Sequence, residues 1–468
     1  MKKSSMRFLR NGVVASFLAA VSIATLHAAN GPIVANVVEQ DPGDTRRLTV
    51  TYDLEGSAGI VTFDIETNCV DAAGVERWVS IGNRHLGDAR GDCWKLVTPG
   101  KGKEFVWYGR RAWPGHKTHP AKLRAVVKAV ATGTPPDYMV CNLKTGERFY
   151  YDSVETLPGG IESDDYRKHL LLMRKIPARG VPWHYGAQSH KPEYDKNYNT
   201  DYQVALTRDY YMGVFEVTQW QWNYVSVECG GYTNREYIPL FPSDTKPFDG
   251  GGNANQISSA NGIVGGDLPW PNGTDSDYEL PGKTGFMRKI RELTGLGLYL
   301  HFPTQWQWEY ACRAGTATAF SNGGELGEAD ETENGSLDLI GRYAGNGGIV
   351  DNGDGSKTTN GTVRVGSYAP NAYGLYDMHG NVWEYCRDHR GWSAADGFDH
   401  SEVNVVQVDP IGPTNGASGV IFSHTNRRGG DWRSPPIECT SSWRGGSVQV
   451  WQTEAFWTGF RLCYTIHD

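Results

Sequence analysis

The stretch Asn371 to Cys386, NAYGLYDMHGNVWEYC, decides how this chain is read. Glycines at 374 and 380, a row of oxygen donors that includes Asp377 and Glu384, a thiol at Cys386 and several aromatic rings fall within one short segment. Such spacing favours a series of fixed turns over a long helix or strand, with the rings available for packing.

Outward from this segment, the composition is that of a strand- and loop-rich protein. Aromatic residues make up 12% of the 468 residues and glycine occurs 58 times, which points to strands, turns and ordered loops instead of helical bundles. Lys2, Lys3, Arg7 and Arg10 precede an apolar run from Gly12 to Leu26, and small residues follow at Ala28 and Ala29. That order predicts a secretory signal over residues 1–29, with an apolar run shorter than the ~20 residues a membrane span needs. The expected location is therefore exported: periplasmic, cell-surface or secreted, with no membrane span after cleavage. The formal charge of −8 argues against nucleic acid or an anionic membrane as partner.

From Pro32 to Thr132 the pattern has period two. Leu48, Val50, Tyr52 and Leu54 alternate with mostly polar residues, as do Val61, Phe63 and Ile65, and further runs follow at Phe105–Tyr108 and Leu123–Val130. This predicts an all-β sandwich of the immunoglobulin or fibronectin kind over residues 30–135, with Cys69 and Cys93 placed to staple it. Gly133–Pro136 (GTPP) breaks the pattern and opens a predicted linker, 136–167. The remainder, 168–468, reads as one large α+β domain. Helices are expected at Gln219–Val227 behind Thr218, at Lys283–Leu293, and after Thr304, where Gln307 three residues on completes a capping box. The Gly- and Asn-rich run Ser243–Asp277 is expected to be a long loop, and Asp351–Gly361 a hairpin turn.

Together with FPTQWQWEYACRAGT (Phe302 to Thr316), RRGGDW (Arg427 to Trp432) and GFRLC (Gly459 to Cys463), the opening segment resembles the formylglycine-generating-enzyme, or sulfatase-modifying-factor, family over roughly the last three hundred residues. The resemblance implies a C-type-lectin-like fold with little regular structure. It also implies a calcium site in which Asp377 and Glu384 ligate by side chain and Gly380 and Val382 by backbone carbonyl, a donor set suited to a hard cation.

Active members of the family hold Cu(I) between two thiolates. Aligned without gaps, RGGDWRSPPIEC puts Ser434 where the first thiolate belongs and Cys439 where the second belongs. A serine hydroxyl is a hard, un-ionised oxygen and a poor partner for soft Cu(I), so copper is doubtful here. Under a gapped alignment, CTSSWR resembles a family stretch whose cysteine bonds the thiol of the WEYAC helix, which would pair Cys439 with Cys312. Cys386 with Cys463 is then a further implied pair. An exporting signal with eight cysteines favours disulfides in general, but connectivity is not readable from the sequence.

No HExxH, CxxC, GxSxG, P-loop or post-strand GxGxxG motif is present, which removes the support for zincin, zinc-ribbon, hydrolase and nucleotide-binding readings. His184, His190, His389 and His400 lack metal-ligand spacing. Trp270 and Trp392, set in loops, are candidates for stacking on a sugar or gripping a peptide. The expectation is an exported sulfatase-modifying-factor-like protein that binds a peptide or glycan. The alternatives are an oxidase acting on an exported sulfatase through an unusual metal site at Cys439, and a surface component docked through its N-terminal domain.

Overall fold

A computed structural model describes residues 31–40, 47–116, 118–119, 122–186, 202–228, 286–328, 330–347, 349–351, 357–359, 361–389, 406–410, 425–448 and 458–467. The signal segment, Cys229, Trp270, Trp392, His190, His400 and the Ser243–Asp277 loop lie outside these residues.

The period-two segments form two antiparallel sheets. One runs Ile33–Gln40, Leu48–Glu55, Gly100–Trp107, Ala89–Gly91; in the other, Gly59–Val70 lies between Glu76–Ser80 and Lys95–Val97 and also pairs with Leu123–Val130. The alternation at Leu48, Val50, Tyr52 and Leu54 puts those side chains inward, where they share a core with Val61, Phe63, Ile65 and Phe105. Phe63 meets both Phe105, at 4.5 Å between ring centroids, and Trp94, at 4.8 Å. Cys69 is exposed and Cys93 buried, so the expected staple is absent.

Residues 136–167 are not a linker. Tyr138–Asn142 and Arg148–Tyr151 are the first two strands of a six-stranded antiparallel sheet that continues with Leu170–Ile176, Tyr210–Gly213, Cys463–Thr465 and Leu300–His301. The run Tyr-Met-Val-Cys is apolar throughout because both faces of this strand are covered. Tyr138 and Val140 join the core of the N-terminal sheets, while Met139 and Cys141 join the core on the opposite face.

That opposite face is covered by the helices Gln219–Glu228 and Phe286–Thr294, through Trp222, Val225, Met287 and Ile290. The helix Gln305–Arg313 packs elsewhere, with Trp306, Trp308, Ala311 and Cys312 against Tyr210, Met212 and Cys463. It begins as the sequence predicts: Thr304 accepts from Gln307 N–H at 3.1 Å and Gln307 returns the contact to Thr304 N–H at 3.0 Å. It stops at Ala314, which adopts a left-handed conformation at φ 46°. A four-stranded sheet of Gly445–Val448, Thr425–Arg428, Trp383–His389 and Thr458–Gly459 completes the site region. Ile349–Asp351 and Lys357–Thr359 pair antiparallel, consistent with the expected hairpin.

All seven described cysteines are free thiols. The implied Cys312–Cys439 and Cys386–Cys463 bridges are therefore not formed. Cys312 Sγ instead lies 3.6 Å from both His379 Nε2 and Ser441 Oγ, and Cys439 sits in a separate apolar cluster with Phe320, Ile340 and Tyr343.

Removing the reciprocal cap by Thr304→Ala leaves the first-turn N–H groups of a buried helix unsatisfied. The substitution is expected to cost about 1 kcal/mol of unfolding free energy, read from chemical denaturation with an unchanged m-value.

Candidate functional site

The turn series from Asn371 onward is fixed by its own side chains. Asn371 Oδ1 accepts from the N–H groups of Tyr373 and Leu375, while its Nδ2 donates to the carbonyls of Ala311, at 2.7 Å, and Cys312, at 3.0 Å. The turn is thereby locked to the end of the Gln305–Arg313 helix. Gly380 adopts φ 95°, and a Cβ there would stand 2.1 Å from the Arg342 carbonyl oxygen, so only glycine fits. Its N–H donates to Gly429 O and the next N–H, of Asn381, to Arg342 O, both at 2.7 Å.

Three buried carboxylates gather behind this turn around one guanidinium. Glu384 accepts from Arg461 Nε at 2.6 Å and Nη2 at 2.5 Å, a two-pronged contact, and from Trp308 Nε1 at 2.7 Å. Arg461 also donates to the carbonyls of Gly213 and Tyr376. Glu216 accepts from Asn381 Nδ2 at 2.7 Å and Val382 N–H at 3.3 Å. Burial, and then Asp377 and Glu384, push its carboxyl well above the usual range. Asp377 accepts from Gly366 N–H at 2.6 Å through Oδ2, while its buried Oδ1 has no hydrogen-bond partner. Burial raises its carboxyl to about 6.

In this arrangement the carboxylates of the calcium quartet that the sequence suggests differ: Glu384 is engaged within the protein, while Asp377 Oδ1 is left without a hydrogen-bond partner. Both oxygens of Glu384 are taken by N–H donors, and the cation at the centre is Arg461 itself. Gly380 and Val382 lie in the same turn as Asp377. Arg461 and Glu216 have no assigned role in the sequence reading. Arg461 stood within the quoted GFRLC motif, yet nothing local marks it as the partner of Glu384, 77 positions away.

The two positions aligned with the copper ligands occupy one tight unit. Ser434 Oγ donates to Glu438 Oε2 at 2.8 Å and accepts from Asp431 N–H at 3.1 Å. Cys439 ends the short 3₁₀ turn Pro436–Cys439, is wholly buried, and packs against Gly430, where a Cβ would fall 2.6 Å from its Sγ. Burial foremost, then Asp431 and Glu438, pushes the Cys439 thiol well above its ordinary value. An apolar pocket bordered by carboxylates disfavours the thiolate, the form that binds soft metals.

A third buried cluster joins the two. His379 accepts from Ser321 N–H through Nε2, at 3.2 Å, so its ring proton resides on Nδ1 and donates to Cys439 O at 2.8 Å. Burial lowers His379 to about 4. Nearby, Arg428 bridges Glu309, at 2.7 Å, and Tyr185 Oη, at 2.9 Å, with all three side chains buried. His379 sits inside the quoted segment, but a single histidine without ligand spacing gave no signal of this role.

Residues 179–466 match the sulfatase-modifying factor enzyme 1-like domain, and the chain belongs to that family. More particularly, it is similar to the formylglycine-generating enzyme of Thermomonospora curvata, 37% identical over 119 residues, or 25% of this chain and 35% of that one. A segment is also similar to the serine/threonine-protein kinase pkn1 of Chlamydia pneumoniae, 38% identical over 98 residues, or 20% of this chain and 14% of that one. The chain thus spans about a third or less of the length of these relatives. Among solved structures, Treponema denticola variable protein 1 superposes with a TM-score of 0.39 at 23% identity, over 63% of this chain and 95% of that one.

Removing the central cation by Arg461→Met strands Glu384 and its neighbours. A loss of roughly 3–5 kcal/mol is expected in denaturant unfolding. Because Arg461 already holds Glu384, EDTA is expected to leave the melting temperature of the unmodified protein unchanged; a fall reversed by calcium would show a metal in its place.

His379 is held neutral in the fold, whereas the unfolded chain takes up a proton near 6.5. Stability is therefore lost as the pH falls from about 6.5 toward about 4, by about 1.4 kcal/mol per pH unit. His379→Gln is expected to remove that increment from the slope of stability against pH.

Proposed function

We propose that this protein is an exported, sulfatase-modifying-factor-like binding protein that engages a peptide or glycan and does not carry out copper-dependent thiol oxidation. The observation that carries the reading is the pair of Ser434 and Cys439. One offers a hydroxyl already committed to Glu438, the other a protonated thiol packed against Gly430. Oxidation of a substrate cysteine through a Cu(I) dithiolate requires two ionisable sulfurs facing a common point. This unit supplies one sulfur, and its environment favours S–H.

The fold around this unit is tightly cross-tied. The turn series from Asn371, the buried Arg428–Glu309 and Arg461–Glu384 pairs and the tryptophan-rich core support a rigid surface for ligand recognition. The N-terminal sheets share a core with Tyr138, Val140, Phe215 and Tyr376, which suits an immunoglobulin- or fibronectin-like unit fused firmly to the family domain as a docking element. The rival reading is a formylglycine-generating oxidase with an unusual metal arrangement at Cys439, acting on a cysteine of an exported sulfatase.

Titration of the full chain with Cu(I), followed by aerobic incubation with a cysteine-containing sulfatase peptide and mass spectrometry, separates the two. The expected result is no stoichiometric copper and no aldehyde product. One equivalent of bound Cu(I), or conversion of the peptide thiol to an aldehyde, would replace the binding reading with the oxidase.

A further inference from the structure

The N-terminal sheets carry a cavity of about 190 Å³ lined by Trp107, Arg110, Trp113, His116, Thr118 and Leu123, outside residues 179–466 that match the family. Its aromatic wall is built, not incidental. The His116 ring stacks on Trp113 at 4.2 Å with 14° between planes, and His85 stands 6.2 Å from each. His85 Nδ1 lies 2.8 Å from Ala112 O, while Trp107 Nε1 donates to His85 O at 2.9 Å, which fixes the segment at two points.

The local sequence is basic, unlike the chain as a whole. The chain has 53 acidic and 45 basic residues, yet Gly109–Arg124 contains five Lys or Arg, two His and no Asp or Glu. Two of these cations are already paired: Arg111 with Asp88, at 2.6 and 2.9 Å, and Arg124 with Glu66, at 2.6 Å. Arg110 is exposed on the cavity rim and makes no ion pair among the described residues.

We propose that this cavity binds an anionic saccharide, with a sugar ring against the Trp113–His116 wall and its carboxylate or sulfate on the Arg110 guanidinium. An aromatic face beside an unpaired guanidinium suits a ring that is apolar on one side and charged at its edge. A membrane surface fits less well, because no large apolar side chain between Gly109 and Leu123 is among the exposed ones. Nucleic acid fits less well on a net acidic chain with so short a basic run. The proposal is independent of the Ser434–Cys439 reading, since neither residue contributes to the cavity.

The test is tryptophan-fluorescence and calorimetric titration of the full chain with polygalacturonate and with dextran sulfate, against neutral dextran, single-stranded oligothymidylate and phosphatidylglycerol vesicles. Salt-sensitive binding of one or both anionic polysaccharides is expected, and which one binds tells carboxylate from sulfate. Arg110→Ala and Trp113→Leu are each expected to weaken binding about tenfold or more. Arg77→Ala, outside the cavity, should leave it unchanged. Because Arg110 is exposed, its variant tests the site even if Trp113→Leu does not fold. Failure of both polysaccharides to bind, affinity indifferent to Arg110→Ala, or equal binding of oligothymidylate or vesicles would overturn the proposal.

Discussion

The contact between Glu384 and Arg461 is the constraint on which the C-terminal architecture rests. Charges removed from water are costly unless every donor and acceptor is met, and here nearly all are. Trp308 completes the carboxylate, while the carbonyls of Gly213 and Tyr376 complete the guanidinium. In meeting that demand the pair ties together five parts of the chain: the Gln305–Arg313 helix, the Trp383–His389 strand, the Tyr210–Gly213 strand, the turn from Asn371 and the approach to the last strand. Hydrophobic contacts alone tolerate many arrangements of these pieces, whereas the two-pronged geometry accepts one.

A second buried network repeats the device at the next helix residue. Glu309 takes Arg428 at 2.7 Å and Arg313 at 2.8 Å, and Arg428 also meets the Tyr185 hydroxyl. The helix is thus held through Trp308 at one carboxylate and through Glu309 at two cations. Its rings pack in the core while its polar groups fix rotation and height. This explains how a region with so few helices and such short strands keeps a defined shape: interior ion pairs and side-chain-to-backbone bonds replace long regular ladders.

Much of the N-terminal half was legible because a strand with one wet face writes its burial into alternate residues, as Leu48 to Leu54 do. The capping box at Thr304 was legible for the same local reason. The strand at Tyr138 escaped because, covered on both sides, it has no alternation, and the preceding GTPP imitates a boundary. At the site, the sequence singled out Asp377 and Glu384 as carboxylates in an unusual turn. It did not identify their companions, because Arg461 and Glu216 come together with them only through tertiary folding. The expected disulfides followed from the inferred compartment and resemblance, whereas the fold directs Cys312 toward His379 and Ser441.

The order of the six-stranded sheet has a kinetic meaning. Tyr211 pairs with Tyr464, and Tyr464 in turn with Leu300, so a segment synthesised late fills the gap between two made long before. Until it arrives, Tyr210–Gly213 presents an unpaired edge, and Arg461 has not yet reached Glu384. Contacts so distant along the chain form slowly and leave sticky intermediates exposed meanwhile. Of the six strands, the one synthesised last thus closes the gap between two earlier ones.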